Sequence, residues 1–483
     1  MSGEFFFGKN PIKSAVYKKG FRIEWGVDVS TSTFHMEKNI MKLVHCKGEM
    51  EIEEIKILLG IEDKNIEIVE VKCEGGIIIT TIKSKTKKYL CPNCNKTTSS
   101  VHDTLKPIQI NYLKAAEKEC KLLLIKRRFI CHKCKNKFTE EMNMNGKKAS
   151  ISNKTKIKIR KDLLNYNLSI KYIAESNNVN DMTVRNELLD AMAGYPNHVR
   201  LLPSMISFDE FKADTKKGKF AFVINDLLHK KTLDILPSRK KEDLIQYFTY
   251  IENRSSVQYI VSDMYEPYLL VQKILFPRAK FCVDRFHYIR YIMRALDGIR
   301  IRLQDKYGYK SKEYSLLKNK KNISLLRKYG NDIEWFVYTK RYRNGHMVEV
   351  LAIDVKNELL AISEELKKGY YLKEEFLDIV RHATNEDAEE QFLSWVKKCH
   401  ESNLIEFKEA SGTIERWLPY IVNSFIDKKL SQGFTEGRNN KFKVIKRIAY
   451  GYKNFEFLRL RIMYICNGKL EGGSNAKSRS RSN

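Results

Sequence analysis

Two groups of residues could carry chemistry. The first is four cysteines in two C-x-x-C pairs, Cys91/Cys94 and Cys131/Cys134. Paired thiolates at this spacing match the tetrahedral preference of a structural zinc ion. The interval between the pairs exceeds that of a minimal ribbon and leaves room for a β insert. A redox dithiol or a chance spacing is the competing reading. His102 and His132 lie nearby and read first as exposed basic residues, with a ligand role for either as the alternative.

The second group is acidic. Asp209 and Asp263 close two apolar, strand-like runs, MISFDEF and VQYIVSDM. Cutting or transferring a phosphodiester builds negative charge on the attacking and leaving oxygens, which two Mg2+ ions about 4 Å apart can stabilise. Mg2+ takes hard carboxylate oxygens, and Mn2+ is the alternative ion. Glu210 and Asp214 compete with Asp209 on spacing alone. A third acid, Glu436, opens TEGRNNKFKVIKRIAYGYKNFEFLRLRIMYI directly behind Thr435, which reads as a helix cap. Arg438, Lys441, Lys443, Lys446, Arg447, Lys453, Arg459 and Arg461 follow. One acid at the head of a basic helix suits a metal ligand beside DNA, whereas the plain alternative is a capping Glu on a solvated basic face.

Composition agrees with such a partner. The chain has 483 residues with 88 Lys and Arg against 59 Asp and Glu, a formal net charge of +29. That excess favours a polyanion. Hydrophobic residues make up 43%, enough for real cores. The sequence contains no apolar run of membrane-spanning length and no secretory pattern at its start, so no membrane partner is expected. Ten cysteines are too few for a disulfide scaffold of this size.

The elements that must position these groups fall into segments. Residues 1–50 lack periodicity and are read as an upstream extension. Residues 51–148 form a zinc-binding, β-rich module: EIVEVKCEGGIIITTIKS reads as a hairpin turning at Gly75-Gly76, and LLLIKRRFI leads into CHKC. Residues 149–198 carry a helix-turn-helix rhythm. Ser169 caps a first helix, Asn178 takes a left-handed turn, and Asn180 caps a second, which presents Asp181, Thr183, Arg185 and Asn186 to a DNA groove. A plain helical hairpin is the alternative. From residue 199 to 300 the order β-β-β-α-β-α-β, with acids at strand ends, is that of an RNase H-like fold. Residues 301–430 are helical by periodicity and read as an all-α insertion, in which Trp335, Trp395 and Trp417 read as core residues, base stacking being the alternative and Trp417, next to Arg416, the one placed to meet DNA if exposed. Residues 431–467 supply the C-terminal helix of the catalytic core, and 468–483 a disordered basic tail. The fold class is thus α+β and multidomain.

Together the double C-x-x-C module, the helix-turn-helix segment, SFDEF, VSDMYEPY, FPRAKFCVDRFHYIR and TEGRNNKFKVIKRIAYGYKNFEFLRLR resemble transposases of the ISL-three insertion-sequence family, of the DDE class, over about residues 55 to 467. The resemblance implies an acidic triad at Asp209, Asp263 and Glu436, two Mg2+ or Mn2+ ions there, and one structural Zn2+. It implies cleavage of 3′ ends and their transfer to target DNA. The partners implied are double-stranded DNA, both element ends and target, and other copies of the chain assembled on it. The setting implied is the bacterial cytoplasm, at the nucleoid. Asp284 and His287 form a D-x-x-H element similar to one in related transposases with helical insertions. It either supports the active site, contacts the flanking strand, or is a helix cap with a satisfied His. The alternatives are a catalytically inactive DNA-binding regulator and a metal-dependent RNase H-like nuclease without strand transfer.

Overall fold

The computed structural model describes residues 52–115, 117–145, 150–333, 337–343, 346–427, 430, 433–449, 452 and 454–468. The readings of residues 1–50, of Trp335 and Lys453, and of the tail beyond Gly468 lie outside them. The chain divides into two compact units, one ending at Ser152 and one beginning at Asn153.

In the first unit a short helix, α1 (Ile52–Leu59), precedes β1 (Ile66–Glu74) and β2 (Ile77–Ser84). These strands pair antiparallel about Gly75 and Gly76, whose φ values of +56° and +80° suit residues without a Cβ. Short strands β3 (Tyr89–Leu90), β4 (Thr97–Thr98) and β5 (Val101–Thr104) follow, then β6 (Ile108–Ala115), β7 (Lys118–Ile125), β8 (Arg127–Ile130) and β9 (Lys137–Thr139). The main sheet has the order β1-β2-β7-β6. Its alternating apolar residues, Ile66, Ile82, Ile110, Leu122 and Leu124 among them, bury one face.

The second unit opens with α2 (Asn153–Leu164), α3 (Ile170–Ser176) and α4 (Asp181–Ala191). The caps follow from side-chain chemistry. Ser169 accepts from the Tyr172 N–H, and Asn180 accepts from the Thr183 N–H. Asn178 holds φ at +51° between the two helices.

A five-stranded sheet comes next: β10 (Met205–Thr215), β11 (Gly218–Asp226), β12 (Lys231–Leu236), then α5 (Lys241–Thr249), β13 (Tyr259–Ser262), α6 (Glu266–Leu275), β14 (Lys280–Val283) and α7 (Arg285–Tyr307). The strand order is β12-β11-β10-β13-β14. The first three are antiparallel neighbours, while β13 and β14 join parallel to β10 and to each other. Phe208 packs against Phe222, Phe248, Tyr268 and Phe276 on one face of this sheet.

The following segment contains α8 (Lys312–Lys318), α9 (Lys320–Arg327), β15 (Val337–Arg343), β16 (His346–Leu351), α10 (Ala352–Leu360), α11 (Glu364–His382), α12 (Ala388–Glu401) and α13 (Ile405–Val422). The all-α expectation for residues 301–430 therefore needs correction, because β15 and β16 form an antiparallel hairpin. The sequence between them, Asn344-Gly345, is the strongest short-range hairpin signal. Trp395 and Trp417 are buried, and the Trp395 indole donates to the Leu372 carbonyl at 2.8 Å. One apolar core runs from the sheet into these helices. Gly369 lets α11 approach closely: a Cβ there would stand 2.6 Å from Ile299.

Two helices close the unit, α14 (Gly433–Ile448) and α15 (Phe455–Asn467). The sequence predicts a single basic helix here, but Asn454 starts a new one by accepting from the Phe457 N–H. No helix among the described residues is long and apolar enough to cross a membrane.

Candidate active site and metal centre

The four thiols are gathered by two copies of one local turn. In the first, the Cys91 N–H donates to the Lys96 carbonyl and the Asn95 N–H to the Cys91 carbonyl, both at 2.9 Å. In the second, Cys131 donates to Asn136 at 2.9 Å and Lys135 to Cys131 at 2.8 Å. Asn95 and Lys135 take matching left-handed conformations, φ +54° and +57°. Cys91 and Cys134 Sγ lie 3.5 Å apart and Cys94 and Cys131 Sγ 3.6 Å. All four sulfurs fall within 4.8 Å of one another. Zn–S bonds of about 2.3 Å in a tetrahedron set sulfurs about 3.8 Å apart, so the cluster fits one structural zinc ion. Burial pushes the Cys91 thiol up, but the N–H groups of Asn93 and Cys94 outweigh it and hold it at about 6. Cys94 receives the Lys96 N–H, yet burial and the three neighbouring sulfurs push it up to about 11. One thiolate's charge thus opposes the next, and a cation relieves that conflict.

The acids assemble at the ends of the parallel strands. Register pairs Ser207 with Val261 and Ser262 with Val283. Continued by one or two residues, it sets Asp209, Asp263 and Asp284 level across β10, β13 and β14. The strand β10 is longer than the sequence suggested and runs on to Thr215, so Asp209 lies within it, just past its pairing with β13. Burial raises the Asp209 carboxyl to about 8; the Glu210 N–H opposes the rise, and the charges of Asp263, Glu210 and Asp284 add to it. Burial likewise raises Asp263.

Glu210, the competing candidate, points to different partners. Arg239 donates to it at 2.5 Å and the Tyr268 hydroxyl at 2.8 Å. Arg239 itself lies over the rings of Phe220 and Tyr265. Asp214, the other competitor, pairs with Lys446.

Glu436 sits exposed in the first turn of α14. Thr435 is not the N-cap expected from the sequence. The helix begins at Gly433, and the buried Thr435 hydroxyl instead lies 2.8 Å from that of Ser207. Asn225 donates to the same hydroxyl at 3.3 Å. One turn on, Asn439 donates to Asp209 Oδ2 at 2.7 Å. These contacts bring the helix bearing Glu436 to the strand bearing Asp209. Among the described residues, the thiols are the group of three or more ligand-type side chains gathered within 4.8 Å, and the acids are spread more widely. Asp284 precedes α7 as its N-cap residue, and the His287 N–H donates to its carbonyl at 3.1 Å. Burial lowers the His287 imidazole's pKa, while the charges of Asp284, Glu210 and Glu436 raise it and that of Arg290 lowers it further.

The basic residues divide into two sets. Lys443, Lys446 and Arg447 line a groove of about 650 Å³ with Lys212 and Tyr452. Lys441 lies over the Tyr166 ring, and Arg438 over the Phe434 ring. Arg459 and Arg461 are buried. Arg459 pairs with Asp234 at 2.6 Å, and Arg461 donates to the carbonyls of Leu163, Asn165 and Leu168 at the end of α2. On α4, Asn186 is exposed, the Thr183 hydroxyl donates to Asn180 at 2.9 Å, and the Arg185 guanidinium lies 4.6 Å over the Phe457 ring.

Sequence reasoning missed Asn439, Arg239, Tyr268 and the Ser207–Thr435–Asn225 cluster. Asn439 was findable, since it lies one helical turn after Glu436. Nothing local marked Arg239.

Comparison with known proteins gives the class. The chain is 22% identical over 400 residues to the transposase for insertion sequence element IS1001 of Bordetella parapertussis, covering 80% of this chain and 91% of that protein. It is 25% identical over 184 residues to the transposase for insertion sequence element IS1557 of Mycobacterium tuberculosis, 37% of this chain and 40% of that protein. A protein of Lactococcus lactis named ATP-dependent protease is 29% identical over 126 residues, 26% of this chain and 38% of that protein, a stretch too short to carry that activity across. The zinc-finger model of transposases IS204/IS1001/IS1096/IS1165 matches residues 87–134, which hold all four cysteines. The ISL3 DDE transposase model matches residues 206–462, more than half of the sequence, and the chain belongs to that family.

Proposed function

We propose that the protein is an active DDE transposase that binds the terminal inverted repeats of its element, cleaves the 3′ ends and joins them to target DNA. The observation that carries this reading is the parallel register of β10 with β13, Ser207 opposite Val261, which carried on by two residues faces Asp209 with Asp263, together with the Glu436 helix tied to β10 through Asn439. The strand order, three antiparallel strands followed by two parallel ones, supports an RNase H-like core. Asp209, Asp263 and Glu436 are hard oxygen donors that would hold Mg2+ or Mn2+, and a divalent cation would relieve the repulsion between Asp209 and Asp263. Bound there, two such ions stabilise charge on the attacking and leaving oxygens of the phosphodiester.

The protein's own residues bind and orient the DNA. Lys443, Lys446, Arg447, Lys441 and Arg438 contact its phosphates, and α3 with α4 acts as a helix-turn-helix, presenting Asn186 beside Thr183 and Arg185 to base edges. The zinc module, held by one structural Zn2+, contributes to recognition of the ends. Copies of the chain assemble on DNA, at the bacterial nucleoid. Presence of all three acids favours catalysis over a purely regulatory role. Incubation with labelled DNA carrying one element end and its flank, with Mg2+, tests the proposal. Cleavage at the end itself is expected; cutting of random DNA at the same rate would instead identify a general nuclease.

A further inference from the structure

The contact that joins the two parts of the acidic site is made by an uncharged side chain. Asn439 lies three residues after Glu436, so the two occupy neighbouring positions on one side of α14. It is 5% exposed. Its amide donates to Asp209 Oδ2 at 2.7 Å and to the Glu210 carbonyl at 3.2 Å. Asp209 Oδ1 accepts from the Glu210 N–H at 2.7 Å, so both carboxylate oxygens are fixed. One turn earlier, Thr435 meets Ser207. The start of α14 is therefore tied to β10 at two levels, and the second tie ends on the carboxylate itself. Among the described residues, Asn439 Oδ1 is buried without a hydrogen-bond partner, a cost that a residue merely filling space would avoid.

We propose that Asn439 is a positioning residue for the reaction: its amide orients the Asp209 carboxylate and sets α14 so that Glu436 is delivered to the same rim. This rests on the acidic-site reading above. Partners that orient ligating groups typically change metal affinity or activity by about 10–100-fold when removed.

The test compares full-length wild type, Asn439→Ala, Asn439→Asp and Asp209→Asn. Mn2+ binding is followed by electron paramagnetic resonance, and cleavage of element-end DNA across Mg2+ and Mn2+ titrations. DNA affinity and melting temperature are measured alongside. Asn439→Ala should raise the metal half-saturation by about tenfold or more, with DNA affinity unchanged and cleavage partly restored at high Mn2+. Asn439→Asp, nearly isosteric, should be at least as impaired, because it removes the donor and sets a second carboxylate against Asp209. A packing role predicts the opposite: unchanged half-saturation, a lowered melting temperature, and Asp milder than Ala. Either that order or an unchanged half-saturation overturns the proposal. Should Asn439→Ala fail to fold, the half-saturation of Asn439→Asp decides. If Asp209→Asn binds Mn2+ and cleaves like wild type, the acidic-site reading itself fails. If Asp209→Asn is inactive while both Asn439 variants match wild type, the positioning role alone fails.

Discussion

Asn439 and Asp209, 230 positions apart in the chain, are joined by a 2.7 Å hydrogen bond. That contact, together with the Thr435–Ser207 and Lys446–Asp214 pairs, spans the whole segment between α7 and α14. A long insertion can therefore separate Glu436 from Asp209 and Asp263 in sequence while the fold returns its helix to the strand that carries Asp209.

The acidic site predicts a pH dependence. Burial and neighbouring negative charge hold the Asp209 carboxyl at about 8, so below that pH the neutral form dominates. A cation binds the ionised form and releases the proton. Metal affinity should thus rise with pH up to about 8 and then level off. The Mg2+ half-saturation for cleavage should fall by nearly an order of magnitude between roughly pH 6.5 and 7.5. A flat profile over that range would show that Asp209 is already ionised or is not a ligand.

The cysteine cluster predicts one zinc per chain. Elemental analysis of the purified protein should find about one equivalent. Cys131→Ser should lose most of it, with proteolysis becoming rapid within residues 52–152 before the second unit is cut. Full zinc retention by that variant would remove Cys131 from the ligand set.

Arg461 predicts a stability effect in place of a DNA effect. It is buried, and its guanidinium serves three carbonyls at the end of α2. Arg461→Met strands those carbonyls and should destabilise the protein by about 3 kcal/mol, read by chemical denaturation. If DNA affinity falls and stability does not, the side chain reaches solvent and DNA.

On α4 the two candidate readers should separate. Asn186 is exposed, whereas Arg185 is stacked on Phe457. Asn186→Ala should lower preference for element-end DNA over random DNA without changing the melting temperature. Arg185→Ala should do both. Equal loss of affinity for both DNAs in Asn186→Ala would mean that this helix contacts only the backbone.

Local chemistry explains what could be read from the sequence. Gly75-Gly76 announced a hairpin, Ser169 and Asn180 announced helix starts, and Asn178 a left-handed turn, because each acts within a few residues of itself. The two C-x-x-C pairs were legible for the same reason. The β15–β16 hairpin hides within a helical periodicity that runs over its strands, although Asn344-Gly345 stands between them in the sequence. Arg459 and Arg461 sit in the same basic run as Arg438 to Arg447, and a charge count cannot tell a guanidinium in solvent from one spent on buried carbonyls. The Thr435 hydroxyl finds Ser207 only when distant parts of the chain meet, so no local signal could separate that use from a helix cap.

The most direct test of the account is strand transfer in vitro. Wild type, Asp209→Asn, Asp263→Asn, Glu436→Gln and Glu210→Gln are each given Mg2+, a pre-cleaved element end and a target plasmid. The first three variants should show no joined product while still binding the end with wild-type affinity. Glu210→Gln, whose native partners are Arg239 and Tyr268, should retain part of its activity. Joining by any of the three triad variants at the wild-type rate, or an inactive Glu210→Gln beside an active Asp209→Asn, would contradict the assignment.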